Sequence, residues 1–218
     1  DDSKTEKIRP VFLIGFGGWE ELIRDFAIVR DLGFTLGEIE RSPAWDMQPD
    51  GTLKNGGKIL LDALEAAKIN GIKADVAVCP QGLPDWLLSS DAEIGKIEGA
   101  GFVRGNIDHP RVREVLEKWL NLLTDATKGK WASFSFLISN EPAYGQSGRD
   151  VYSRPEWIAF LKKRHKNIQA LNNLYQTKYV SFEEVPVPAI AMPSTVELRR
   201  AYYDWCCFNQ EHFARWHA

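Results

Sequence analysis

Cysteine is scarce in this chain: three in 218 residues, namely Cys79 and the adjacent Cys206 and Cys207. Three cannot make a disulfide framework, and no histidine is placed to pair with Cys79 as a thiol nucleophile. Histidine is nearly as rare. The four residues His109, His165, His212 and His217 are scattered, with no H-x-x-x-H pair, so no metal site and no cofactor are expected. A basic excess is also missing, and a net charge of −3 gives no support for a nucleic-acid partner, which would call for a basic stripe. No apolar run reaches the ~20 residues of a membrane-spanning helix. Ser139 lacks the G-x-S-x-G turn of a nucleophilic serine. The N-terminus is a short polar lead, residues 1–10, without the apolar run of a signal peptide.

What is present is an ordinary globular balance, 44% hydrophobic and 26% charged, with 8 tryptophans. That many indoles suit sugar stacking and core packing equally well. The spacing predicts alternating strands and helices over residues 11–218. Strands are expected near 11–16, 34–39, 74–79 and 132–139. A helix over 19–32 carries Leu22, Phe26 and Val29 on one face and stops at Gly33. Another over 59–68 buries Leu60, Leu61 and Leu64 and closes at Gly71. The strongest runs from Arg111 to Thr124, with Val112, Val115, Leu116, Trp119, Leu122 and Leu123 inward, and a last one spans Leu198 to His217. Strand–helix alternation at this rhythm means βαβ units and a parallel sheet. An open doubly wound sheet and a closed barrel both fit. A (β/α)8 barrel needs roughly 250 residues, so four units are read as its N-terminal half, with the rest on a longer polypeptide. Such a half leaves two sheet edges unpaired, and self-association follows from that.

One segment has chemical purpose. Trp131 through Ser139 is an aromatic-rich apolar run of strand length, and such runs mark parallel strands buried on both faces. It ends abruptly in Asn140, Glu141 and Pro142. Pro142 disfavours helical geometry at Glu141 and holds it extended at the strand tip, where α/β barrels mount their chemistry. A glycosidase needs one carboxylic acid to protonate the leaving oxygen, and a neighbouring amide can bond the sugar 2-hydroxyl. Read alone, Asn-Glu-Pro is more often a helix-entry or loop signal. Gly15, Gly17 and Gly18 after the first strand invite a dinucleotide-loop reading, but Glu20 stands where the third glycine belongs.

The segment Pro155 through Pro186, with Trp157, Phe160, Leu171, Asn172, Tyr175 and Phe182 at their spacings, resembles a stretch of the beta-galactosidase-like enzymes of glycoside hydrolase family 42. Gly33 to Gly51, with Trp45 and Pro49, is similar to that family's second strand and loop. Val78 to Trp86 is similar to its third strand and Pro-x-Trp loop. The resemblance runs in order over residues 11–216, with Asn140–Glu141 and Leu171–Asn172 its most specific points. It implies a clan A (β/α)8 barrel and a retaining beta-glycosidase acting on a glycoside or oligosaccharide. Glu141 would be general acid/base, its pKa above the ~4.3 of free glutamate. The alternative is a catalytically inactive carbohydrate-binding barrel. The nucleophilic glutamate of such enzymes ends a seventh strand, which is not found here, so these residues alone are expected to be inactive. Members carry an arginine on the second strand. This chain reads Leu36–Glu40 there, with Arg41 just beyond.

Only residues at the C-terminal ends of strands can meet Glu141 in a barrel. That restricts the substrate-binding candidates to Trp19, Glu40, Trp45, Gln81, Trp86 and Tyr144. Asn140 and Glu40 are expected as hydroxyl ligands and Trp86 as a stacking wall, with Trp45 a cap on the barrel core. Glu38 and Glu40 share strand parity and face one side, where Arg41 or Arg104 could balance them. A periplasmic or secreted location is placed ahead of a cytoplasmic one.

Overall fold

The computed structural model describes residues 12–17, 25–95, 103–139 and 143–217. Among them are four strands: β1 (Gly15–Phe16), β2 (Leu36–Arg41), β3 (Lys73–Val78) and β4 (Ser133–Leu137). All pair in parallel, in the order β1-β2-β3-β4. A doubly wound sheet reverses its strand order at a switch point. Sequential order without reversal is that of successive barrel staves, which decides between the two architectures.

The helices are α1 (Phe26–Asp31), α2 (Pro43–Asp46), α3 (Lys58–Ile69), α4 (Asp85–Leu88), α5 (Ala92–Gly95), α6 (Pro110–Thr127), α7 (Arg154–Arg164), α8 (Ile168–Tyr175) and α9 (Val196–Trp216). α3 turns Leu60, Ala63, Leu64 and Ala67 inward, while Leu61 is only half-buried, a departure from the sequence reading. Gly71, at φ 70°, takes the left-handed turn after α3 that only glycine enters without strain. α6 starts on Pro110, with the His109 ring accepting from Arg111 N–H at 3.2 Å. It buries Val112, Val115, Leu116, Trp119 and Leu123 against the sheet, each contributing roughly 1.5–3 kcal/mol. Ile39, Val76 and Val78 meet this layer from β2 and β3. A second core joins α7, α8 and α9 through Trp157, Leu161, Leu171, Tyr175, Trp205 and Phe208. No helix among the described residues is long and apolar enough to cross a membrane.

Three expectations are corrected. β1 is shorter than the reading of 11–16: Ile14 bonds to Thr35 and Leu36 but precedes the strand proper. β2 runs on to Arg41, so an arginine does sit on the second strand. β4 is not buried on both faces, because Phe134 (55% exposed), Phe136 (43%) and Leu137 (38%) remain open. It is an edge strand with β3 as its one partner among the described residues, and part of its apolar surface lies uncovered. Most of the expected 19–32 helix lies outside the described residues; its observed part is α1.

Candidate active site at the C-terminal rim of the sheet

Parallel strands place all their C-terminal ends at one edge. Here that edge carries Glu40 and Arg41 from β2, Cys79 through Gly82 after β3, and Ile138 and Ser139 after β4. Asn140, Glu141 and Trp19 lie outside the described residues. The chain path is nonetheless defined on both sides of the Asn-Glu pair, because β4 leads into it and Ala143 leaves it.

On β2, burial alternates strictly. Ile39 and Arg41 turn toward the helix layer, and Glu38 and Glu40 turn to the opposite face of the sheet. Register puts Glu38 beside Asp75 and Glu40 beside Ala77. The Cys79 thiol donates to Glu40 Oε1 at 3.1 Å, and Ser135 Oγ donates to Asp75 at 2.8 Å. Burial, then the charges of Asp75 and Glu40, raise the Glu38 carboxyl above its ordinary range. Burial, then the hydrogen bond to Glu40, push the Cys79 thiol up to about 12, so it stays a protonated donor. Gln81, expected to bind substrate, also bonds to the Cys79 thiol. Cys79 thus joins two of the sequence candidates, Glu40 and Gln81, in one hydrogen-bonded string along the rim.

Neither arginine offered as a counter-charge faces this acidic surface. Arg41, 1% exposed, turns the other way and pairs with Asp46 of α2, bonding from both Nε and Nη2. Asp46 in turn accepts from Trp119 Nε1 at 3.2 Å. Arg104 reaches Asp85 at 3.4 Å on the surface. Strand parity accounts for the first of these, since Arg41 follows Ile39 onto the core side. The Arg41–Asp46–Trp119 triad escaped sequence reasoning because its third member is 73 residues from its second.

The rim loops are tied together. Ala44 N–H donates to the Gly82 carbonyl at 2.8 Å. A side chain at position 82 would place its Cβ 2.9 Å from Ser42 Cβ, so the close approach of the β2 and β3 loops requires glycine. Trp86 is half-buried and packs against the sheet core, its indole N–H buried. Tyr144, 6% exposed, stacks on Phe213 of α9 in a cluster with Val103 and Ile107. Burial, then the charges of Asp108 and Asp150, raise its phenol well above the usual range. Its carbonyl accepts from the buried Asn209 at 2.6 Å, which anchors the segment just past Glu141 to α9. Trp45, expected to cap the core, is instead 39% exposed. Asn172, a specific point of the resemblance, clamps the turn after α8: it donates to the Tyr179 carbonyl at 2.8 Å and accepts from Tyr179 N–H and Thr177 Oγ1.

The family model of glycoside hydrolase family 42, described as Beta-galactosidase, matches residues 19–217. A Beta-1,2-glucosyltransferase of Ignavibacterium album is 28% identical over 158 residues, 62% of this chain and 21% of that protein. Among solved structures, the apo exo-carrageenase GH42 of Bacteroides ovatus superposes with a TM-score of 0.64 at 22% identity, covering 84% of this chain and 26% of that one. The beta-galactosidase of the psychrophilic Marinomonas ef1 gives 0.62 at 14% identity, over 91% of this chain and 34% of that one. The beta-galactosidase of the haloarchaeon Halorubrum lacusprofundi gives 0.63 at 19% identity, over 91% and 33%. This chain therefore spans about a fifth to a third of the length of the proteins it is similar to. The match over nearly its whole length, on sequentially ordered parallel βα units, shows that the chain belongs to glycoside hydrolase family 42, the beta-galactosidase family, and that its fold is part of a (β/α)8 barrel.

Proposed function

We propose that the protein carrying residues 11–218 as the first part of its barrel is a retaining beta-glycosidase acting on beta-galactosides or related beta-linked oligosaccharides. The observation that carries this is the family match across residues 19–217 on a sheet whose fourth strand leads straight into Asn140 and Glu141. Glu141 gives its proton to the glycosidic oxygen as the bond to the anomeric carbon breaks. A second carboxylate, about 5–5.5 Å away in retaining enzymes, takes the sugar as a covalent ester. Glu141, now ionised, takes a proton from a water that attacks the anomeric carbon as the ester bond breaks, so the second carboxylate is released and Glu141 regains its resting state. Asn140 and Glu40 hold sugar hydroxyls. Glu40 suits this because its Oε1 is already fixed by Cys79, which leaves Oε2 to accept from a hydroxyl. Gln81, Trp86, Tyr144 and Trp19 complete the set of rim residues proposed to shape the site.

The name of the Ignavibacterium album relative supports a variant ending, in which a sugar hydroxyl replaces water as acceptor. One experiment covers both. Glu141→Gln in the full-length protein lowers turnover of lactose about a hundredfold or more, the usual scale of general acid catalysis. It costs far less with 2,4-dinitrophenyl beta-galactoside, whose leaving group needs little acid. Equal losses on the two substrates would remove Glu141 from the acid role. Product analysis with and without added glucose separates hydrolysis from transfer.

A further inference from the structure

Two of the described tryptophans are exposed, Trp45 at 39% and Trp131 at 50%. Trp131 precedes β4, at the N-terminal edge of the sheet, and the Lys73 ammonium lies 3.7 Å from its ring. Trp45 sits four residues past the end of β2, at the C-terminal edge, where the sequence places Glu141 two strands away. A single exposed indole is ordinary on a protein surface, so what sets Trp45 apart is the way it is held.

Its backbone is held on every side. Trp45 N–H bonds to the Ser42 carbonyl at 3.1 Å, and Ala44 N–H to Gly82 of the neighbouring loop at 2.8 Å. Lys54 Nζ caps the Ala44 carbonyl at 2.9 Å. The next residue, Asp46, is locked by the buried Arg41 and by the Trp119 indole. The Arg41 guanidinium carbon also stands 5.9 Å from the Trp45 ring centroid. A buried ion pair and a buried indole thus brace a short helix whose one large exposed side chain is an aromatic ring. Bracing of this kind removes the ordering cost that a mobile loop would incur on binding.

The geometry points to Trp45 as a stacking platform for a sugar unit, with Arg41, Asp46 and Trp119 as the residues that position it. The inference rests on the glycoside reading above and adds a subsite to it. β2 and β4 are two strand spacings apart, about 10 Å. A sugar over Trp45, past the end of β2, would lie along the same rim as the end of β4 that leads toward Glu141, so the platform favours oligosaccharides over single sugars. The apolar C–H face of a pyranose lies on the indole while its hydroxyls stay in water or meet rim groups.

The test is calorimetric titration of the full-length protein with beta-1,4-galactotetraose, sophorotetraose and methyl beta-galactoside, using wild type, Trp45→Ala and Trp45→Phe. Trp45→Ala should weaken binding of whichever tetrasaccharide the wild type takes by about tenfold, and by more than it weakens methyl beta-galactoside. Trp45→Phe should recover most of that loss, and the melting temperature should barely move because the indole is exposed. Unchanged tetrasaccharide affinity in Trp45→Ala overturns the proposal. So does an equal loss on tetrasaccharide and monosaccharide together with a large fall in melting temperature, or a wild type that binds neither tetrasaccharide. A wild type that binds a tetrasaccharide through Trp45 and hydrolyses no beta-glycoside leaves the platform standing and removes the enzyme reading instead.

Discussion

A guanidinium with 1% exposure can be tolerated only if its charge is met, and Arg41 meets Asp46 beneath the rim. Removing one partner of such a pair strands the other in a low-dielectric core. Asp46→Ala also deprives the Trp119 indole of its acceptor. The variant should lose about 3–5 kcal/mol of stability by urea unfolding. The double variant Arg41→Leu, Asp46→Leu should recover much of that, since no unpaired charge remains. A single variant within about 1 kcal/mol of wild type would mean that water reaches the pair. On the opposite face of the same strand, Glu38, Glu40 and Asp75 lie together without a cation among the groups that shift Glu38. Glu40→Gln should therefore relieve repulsion at Glu38 and leave stability unchanged or slightly higher, while weakening sugar binding. A marked loss of stability in Glu40→Gln would show instead that the Cys79–Glu40 bond is structural.

At the scale of elements, α6, α7 and α9 are clasped through one imidazole. His212 of α9 is 2% exposed, with Nε2 2.8 Å from Asp108 before α6 and Nδ1 3.1 Å from Glu156 on α7. Arg113 pairs with the same Asp108, and Arg215 with the same Glu156. Ionised carboxylates only accept, so a carboxylate facing each ring nitrogen favours the doubly protonated imidazolium. Burial by itself depresses its pKa, but the hydrogen bond and charge of Asp108, then those of Glu156, outweigh it and raise the value. A folded-state pKa above the unfolded ~6.5 means a stabilisation that is complete below about pH 6.5. It is lost as pH rises through the folded value, where folded and unfolded rings both become neutral. Thermal unfolding from pH 6 to 9 should show this decline, and His212→Gln should flatten it. A variant that keeps the wild-type slope would place the titrating group elsewhere. Because Asn209 and Phe213 on the same helix hold Tyr144, α9 also secures the exit from the Asn-Glu pair.

At the scale of the whole molecule, the described sheet has two open edges, β1 and β4. β4 and the residue after it add exposed Phe134, Phe136 and Ile138 at one parity, with Leu137 exposed at the other. Beside it a groove of about 620 Å³ runs between β4, α6 and the end of α9, lined by Leu116, Leu120, Phe136, Ile138 and Trp216. In water such edges and faces seek partners. The 218 residues expressed by themselves should elute from a sizing column as species that grow with concentration. A stable monomer that unfolds in one step would show that the open edge needs no partner. Lys substituted for Phe134 and Phe136 should reduce the association, since charges on an edge strand discourage edge-to-edge pairing.

The sequence by itself determined the strand–helix rhythm, the long amphipathic α6, the family, and a fourth strand just ahead of Asn140–Glu141. These are local signals: apolar periodicity, turn residues, and motif spacing along the chain. The βα rhythm alone leaves barrel and doubly wound sheet open, because they differ only in which strands become neighbours; the family resemblance pointed to the barrel, and the strand order bears it out. The roles of Arg41 and Trp119 were hidden for the same reason. A two-residue difference in where β2 ends moves Arg41 from loop to strand and, by parity, onto the core side. Its partner Asp46 is near in sequence, but the indole completing the triad comes from α6, and only packing brings it there. Likewise, an apolar strand reads as buried on both faces whether or not anything covers it. Exposure depends on neighbours, and for β4 the tertiary structure alone decided it.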